Sequence, residues 1–209
     1  MRIDLLRLLT WLSPAFPTGG FAYSHGLEWA VEERAVTDEA SLAAWVADTL
    51  RDGALWSDVI LLRHAYAGED VITLAVALGA SAERRLESLA QGAAFVLAAA
   101  AWPGLDWPAG PMPYAVAVGM LAAAHEVPVE DAVVAFLHAA SVNLVSAAIR
   151  LVPLGQAAGL RVQAALESVI LEVAAASREA GLDEVGGCVW ASDIAAMRHE
   201  TQYTRLFRT

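Results

Sequence analysis

A chain of 209 residues is long enough for one sizeable hydrophobic core and short for two, so one domain is expected. Thirteen basic residues stand against 24 acidic ones, a formal net charge of −11, which leaves no basic stripe to displace counterions and sets nucleic acid aside as a partner. Every basic residue is arginine; the absence of lysine excludes a P-loop lysine, a Schiff-base lysine and a kinase-like phosphate anchor.

Ile3, Leu5, Leu6, Leu8, Leu9 and Leu12 cover most of a short first helix, leaving Asp4, Arg7 and Thr10 as a narrow polar edge, a pattern that predicts burial on several sides. Asp4 and Arg7 interrupt the apolar run and no small-residue cleavage site closes it, so the start Met1-Arg2-Ile3-Asp4 reads as part of a structural helix rather than a signal peptide. The stretch Ser13–Glu28, SPAFPTGGFAYSHGLE, follows as a corner: Pro14 and Pro17 fix φ, while Gly19 and Gly20 permit positive φ. A phosphate cradle, a catalytic loop carrying Ser24 and His25, and a rigid docking surface compete for it. Gly19-Gly20 lacks the Walker pattern, and Ser24 and His25 are sequence neighbours with diverging side chains, which favours a satisfied surface or boundary histidine over a nucleophile–base pair.

Helical period resumes over Ala22–Arg34, and Leu42, Trp45, Val46 and Leu50 make an amphipathic helix with an N-cap at Thr37 or Asp38. Further helices are predicted over Leu55–Tyr66, Val71–Leu78 and Ala82–Trp102, the last with Glu83, Arg84 and Glu87 as its wet start. A Pro- and Gly-rich loop spans Pro103–Pro113, followed by helices at Tyr114–His125, from Pro128 to about Leu151, and over Gln156–Ala180. No alternation longer than four or five residues marks a strand. The fold class is all-α: a single compact bundle of about eight to ten helices.

A mean hydropathy of +0.49 raises the membrane question, because Ser88–Leu105, Trp107–Ala124 and Ala132–Ile149 approach the length of a span. These runs are alanine-rich, carry Gln91, His138, Ser141, Asn143 and Ser146, and the first two are broken by Trp102-Pro103-Gly104 and by Pro108 to Pro113, so they read as core helices of a cytoplasmic protein. Cys188 is the single cysteine, which rules out an intramolecular disulfide or a cysteine zinc site and fits a reducing compartment. His125-Glu126 and His199-Glu200 open like zincin helices, but position i+4 is Val129 and Tyr203, so neither is HExxH. His25, His64, His125, His138 and His199 lack ligand spacing; no metal, cofactor or catalytic residue is expected. A helical metal-dependent hydrolase using His25, His199 and Glu200 is the alternative, and it needs those groups in one cleft.

The closing run Arg198–Thr209, RHETQYTRLFRT, alternates arginine with aromatics on an otherwise acidic chain. Ordering twelve backbones costs about 1–2 kcal/mol each, whereas burying Tyr203, Leu206 and Phe207 returns roughly 1.5–3 apiece. Such a tail frays, docks across the body with many extra hydrogen bonds, or orders on a partner, with Arg205 and Arg208 as charged anchors.

Three separated motifs carry a resemblance: SPAFPTGGFAYSHGLEWAVE at 13–32, NLVSAAIRLVPLGQ at 143–156, and DIAAMRHETQYTRLFRT at 193–209. In this order they resemble the urease accessory protein UreF family along nearly the whole chain. The resemblance implies a non-enzymatic, dimeric adaptor that binds UreD (UreH), recruits the GTPase UreG and helps load nickel into apo-urease. It implies a helical domain over 1–192 and a partner-binding tail over 193–209, with Arg198, His199, Glu200, Tyr203, Arg205, Leu206, Phe207 and Arg208 facing UreD and becoming ordered on binding it. Tyr23 and Glu28 become candidates for the partner or GTPase side, and Arg150, Gly155 and Gln156 for the dimer or GTPase side. Two departures stand out: Ala22 where the family often has serine, and the complete lack of lysine, so that any lysine-mediated contact in relatives is absent or made by arginine with its planar bidentate geometry.

Overall fold

The computed structural model describes residues 3–209; Met1 and Arg2, part of the N-terminal reading above, lie outside the described residues. Ten α-helices follow in order: α1 Ile3–Trp11, α2 Leu27–Glu32, α3 Glu39–Arg51, α4 Ala54–Tyr66, α5 Ile72–Ala77, α6 Ala82–Ala99, α7 Tyr114–Ala124, α8 Val129–Leu151, α9 Gly155–Ala176 and α10 Trp190–His199. No strand occurs among the described residues, as the all-α reading requires. Local chemistry starts the helices: Asp38 accepts the Ser41 amide in a capping box before α3, Ser81 accepts the Arg84 amide before α6, and Pro128 precedes α8 with Glu130 and Asp131 in the first turn.

The centre is α7, apolar on every side, with Ala115, Val116, Ala117, Val118, Leu121 and Ala122 buried. Helices α4, α6 and α8 enclose it. Close approach depends on missing side chains: a Cβ on Gly119 would lie 2.3 Å from the Leu62 carbonyl oxygen, and one on Gly92 1.8 Å from that of Met112. Arg63 on α4 ties the layers outside this centre, bonding Glu130 of α8 through both of its carboxylate oxygens and the Ala174 carbonyl and Ser177 hydroxyl at the end of α9. Helix α8 is the one described helix long and apolar enough to cross a membrane, and half of its most apolar window is buried inside the bundle.

Two sequence expectations change. Helix α1 buries Leu8 and Trp11 but leaves Ile3, Leu5, Leu6 and Leu9 exposed, because only one of its apolar sides meets the bundle. The helix expected over Ala22–Arg34 shrinks to α2, because His25 (φ 56°) and Gly26 (φ 77°) are consecutive left-handed residues that turn the chain just before it. Helix α10 includes residues on both sides of position 192.

Candidate partner-docking site

The corner is held from behind by α8. After Gly19 (φ 74°), a 3-10 turn at Gly20–Ala22 offers two carbonyls outward; Asn143 Nδ2 donates to that of Gly20 at 2.8 Å and the Arg150 guanidinium to that of Phe21 at 2.9 Å. Residues 22–24 then run beside the end of the chain. The Arg208 amide donates to Ala22 O at 2.8 Å, and the Ser24 amide and hydroxyl both donate to the Thr209 main-chain oxygen. Helix α10 crosses directly above Gly26, where a Cβ would stand 2.4 Å from the Ala196 nitrogen.

The tail therefore docks on the body of its own chain. Glu28 is the main receptor: one carboxylate oxygen accepts the Leu206 amide at 2.7 Å and the other the Phe207 amide at 2.9 Å. The Phe207 ring is buried with the Arg150 guanidinium 4.4 Å over it, and Arg208 stands 5.8 Å over Tyr23. His199, fully buried, lies between Glu28 and Glu83. Glu83 also accepts from Arg205 at 2.8 Å, Gln202 donates to Glu32, Glu200 accepts the Ala82 amide at the start of α6, and the Thr209 hydroxyl reaches Glu87 at 3.0 Å.

A second buried cluster supports the first. Glu87 takes His25 Nε2 at 2.6 Å, Arg84 at 2.6 Å and Gln91 at 2.9 Å. Burial alone would raise its pKa, but the Arg84 and His25 charges and their hydrogen bonds hold it down at about 2. Burial wins at Asp58, whose pKa is raised although Arg84 lies 3.9 Å away, and at Tyr23, where it outweighs Arg208. Glu83 and Glu87, expected at a wet helix start, are thus buried, because Arg84 on the same helix, His25 of the corner, and Arg205 and His199 of the C-terminal segment pair with them. Their i, i+4 spacing with Gln91 on one face of an apolar helix was the available signal.

The candidate residues divide into two sets. Tyr23, Glu28, His199 and Phe207 face inward and hold the tail. Arg198, Glu200, Tyr203, Arg205, Leu206 and Arg208 are exposed, as are Arg150, Gly155 and Gln156 at the break between α8 and α9. Trp190, Ile194 and Met197, at i, i+4 and i+7 on α10, add an exposed apolar face that sequence reading missed. Phe21, at the tip of the corner, is also exposed.

Hydrolase chemistry finds no common centre here. His25 and His199 are engaged with different carboxylates, Glu200 is exposed and caps α6, and no three His, Cys, Asp or Glu side chains among the described residues are placed to hold a metal ion. Contrary to the surface or boundary position expected of it, His25 is buried, and its Nδ1 has no hydrogen-bond partner. It lines a cavity of about 170 Å³ beneath the corner.

Comparison with known proteins bears on this arrangement. A family model described as UreF matches residues 36–167. The chain is 52% identical to a urease accessory protein UreF of Cereibacter sphaeroides strain KD131, over the whole of both chains. It is 49% identical to proteins of the same description from Rhodopseudomonas palustris strain BisA53, covering 98% of this chain and 93% of the relative, and from Agrobacterium fabrum strain C58, covering 98% and 96%.

Proposed function

The chain belongs to the UreF family of urease accessory proteins, and on that premise we propose that it is a non-enzymatic adaptor in urease maturation. It bridges UreD (UreH) and the GTPase UreG, so that nickel is delivered into apo-urease, and it works as a homodimer in the cytoplasm. The observation that carries this reading is the outward face of α10 and the tail. Trp190, Ile194, Met197, Tyr203 and Leu206 are exposed on consecutive segments, interspersed with Arg198, Arg205 and Arg208. Exposed large apolar groups of this kind, with arginine and aromatic anchors, mark protein interaction surfaces.

On this reading the inward residues Tyr23, Glu28, His199 and Phe207 act through the tail, fixing the side chains that UreD meets. Beside the end of the tail, Phe21 at the corner tip and Arg150, Gly155 and Gln156 at the α8–α9 break serve the second copy and UreG. Co-purification with UreD tests the first assignment. The double substitution Tyr203→Ala and Leu206→Ala removes two exposed side chains, so it is expected to lose UreD while keeping the helical circular dichroism; undiminished recovery would remove the tail from the interface. Modulation of UreG is a further part of the reading. Single-turnover GTP hydrolysis with UreD and apo-urease present separates an activator, which speeds hydrolysis at once, from a gate, which holds it until the assembly is complete.

A further inference from the structure

The two carboxylates around His199 leave its ring little freedom. Nδ1 lies 2.7 Å from Glu83 Oε2 and Nε2 lies 3.1 Å from Glu28 Oε2, with the imidazole fully buried. Both acids are already acceptors: Glu28 for the Leu206 and Phe207 amides, Glu83 for Arg205. An ionised carboxylate has no proton to give. Each ring nitrogen must therefore donate, and a ring that donates at both is an imidazolium. Moving the proton onto either carboxyl group leaves the count the same: Glu28, His199 and Glu83 together hold one proton beyond a neutral ring and two carboxylates.

We infer that residues 200–209 are held by a proton-dependent clasp, docked while the Glu28–His199–Glu83 group keeps its extra proton and released as rising pH removes it. Without that proton a ring lone pair faces a carboxylate at hydrogen-bond distance inside the bundle, and one attraction becomes a repulsion. Either carboxylate that withdraws takes a hold on the tail with it, the Leu206 and Phe207 amides in one case and Arg205 in the other. The surrounding charges do not substitute for the proton. On α2, Glu32 is bonded to Gln202; on α6, Glu87 is occupied by Arg84 and His25, and Arg84 also faces Asp58. Three buried acids, Glu28, Glu83 and Glu87, thus meet two arginines, Arg84 and Arg205, and the histidines supply what is missing. His25 differs from His199, since it meets a carboxylate through Nε2 alone and its Nδ1 has no hydrogen-bond partner.

The clasp is a property of the chain by itself, whatever its partners. Amide hydrogen exchange at Leu206 and Phe207 in the full chain, expressed as protection over the unstructured rate at each pH, reads docking directly. With one linked proton, protection is expected to fall by up to about tenfold per pH unit as the pH is raised, while amides of α7 and α8 stay level. His199→Gln donates to one carboxylate at every pH, so protection is expected to be lower and flat. Glu83→Gln gives the neutral ring a donor and still accepts from Arg205, so protection is expected to persist at pH 9 with the slope gone. Should the first variant fail to fold, the second decides the matter alone. Constant protection in the unsubstituted chain, or a slope that survives in Glu83→Gln, overturns the clasp.

Discussion

Removing the Glu28 carboxylate is the sharpest perturbation of the docked tail. Glu28→Ala deletes the acceptor of the Leu206 and Phe207 amides and one of the two partners of His199. A hydrogen bond to a charged group is worth roughly 1.5–3 kcal/mol, so the two amide bonds together account for about 3–6 kcal/mol of docking. What remains is the burial of Phe207, about 1.5–3 kcal/mol, its stack against Arg150, about 0.5–1 kcal/mol at a partly exposed site, and the pairing of Arg208 and Thr209 with residues 22–24. Ordering the backbone of residues 204–209 opposes these at about 1–2 kcal/mol per residue, so the balance tips to release. The variant is expected to be cut rapidly by trypsin after Arg205 and Arg208, and to lose exchange protection at residues 206 and 207, with helix content and the α7–α8 core unchanged. Cleavage and protection equal to those of the unsubstituted chain would refute the assignment of Glu28 as receptor.

Two other perturbations test the frame around it. Gly26→Ala combines a positive φ, costing roughly 1–2 kcal/mol, with a Cβ 2.4 Å from the Ala196 backbone nitrogen; urea unfolding should register a loss of about 3 kcal/mol or more. Gly68→Ala, at φ +87° with nothing within 4 Å, isolates the strain alone and should lose only about 1–2 kcal/mol. The Glu87 carboxylate, held at a pKa of about 2 against an ordinary 4.5, contributes about 3 kcal/mol that is complete above the unfolded pKa and lost as pH falls from about 5 toward 2. Unfolding in urea at several pH values should show Glu87→Gln with a shallower loss of stability in that acid window; parallel curves for the two proteins would mean that Glu87 is not the group involved.

Much of this was legible in the sequence. Leu42, Trp45, Val46 and Leu50 located α3, and Asp38 and Pro128 marked helix starts through short-range chemistry that the backbone itself requires. The Pro- and Gly-framed corner was visible, since Gly19 takes its positive φ for local reasons. Burial was harder to read. A helix such as α1, apolar nearly all round, does not reveal which side will be covered, and Ile3, Leu6 and Leu9 stay outside. Glu83 and Glu87 looked solvent-exposed because their partners are remote: Arg205 lies 122 positions from Glu83, and His25 belongs to the corner. Composition alone allowed the tail three outcomes: docking on the body, ordering on a partner, or a frayed end. The choice of self-docking rests on Glu28, whose role as receptor for two amides depends on α2 and residues 206–207 meeting in space.

The adaptor reading is tested most directly by sedimentation of UreD and UreG together, with and without the chain. UreD and UreG are predicted to travel as one species only when the chain is present, and Tyr203→Ala with Leu206→Ala is predicted to release UreD while UreG stays with the chain. Association of UreD and UreG in its absence, or a chain that binds neither, would contradict the account.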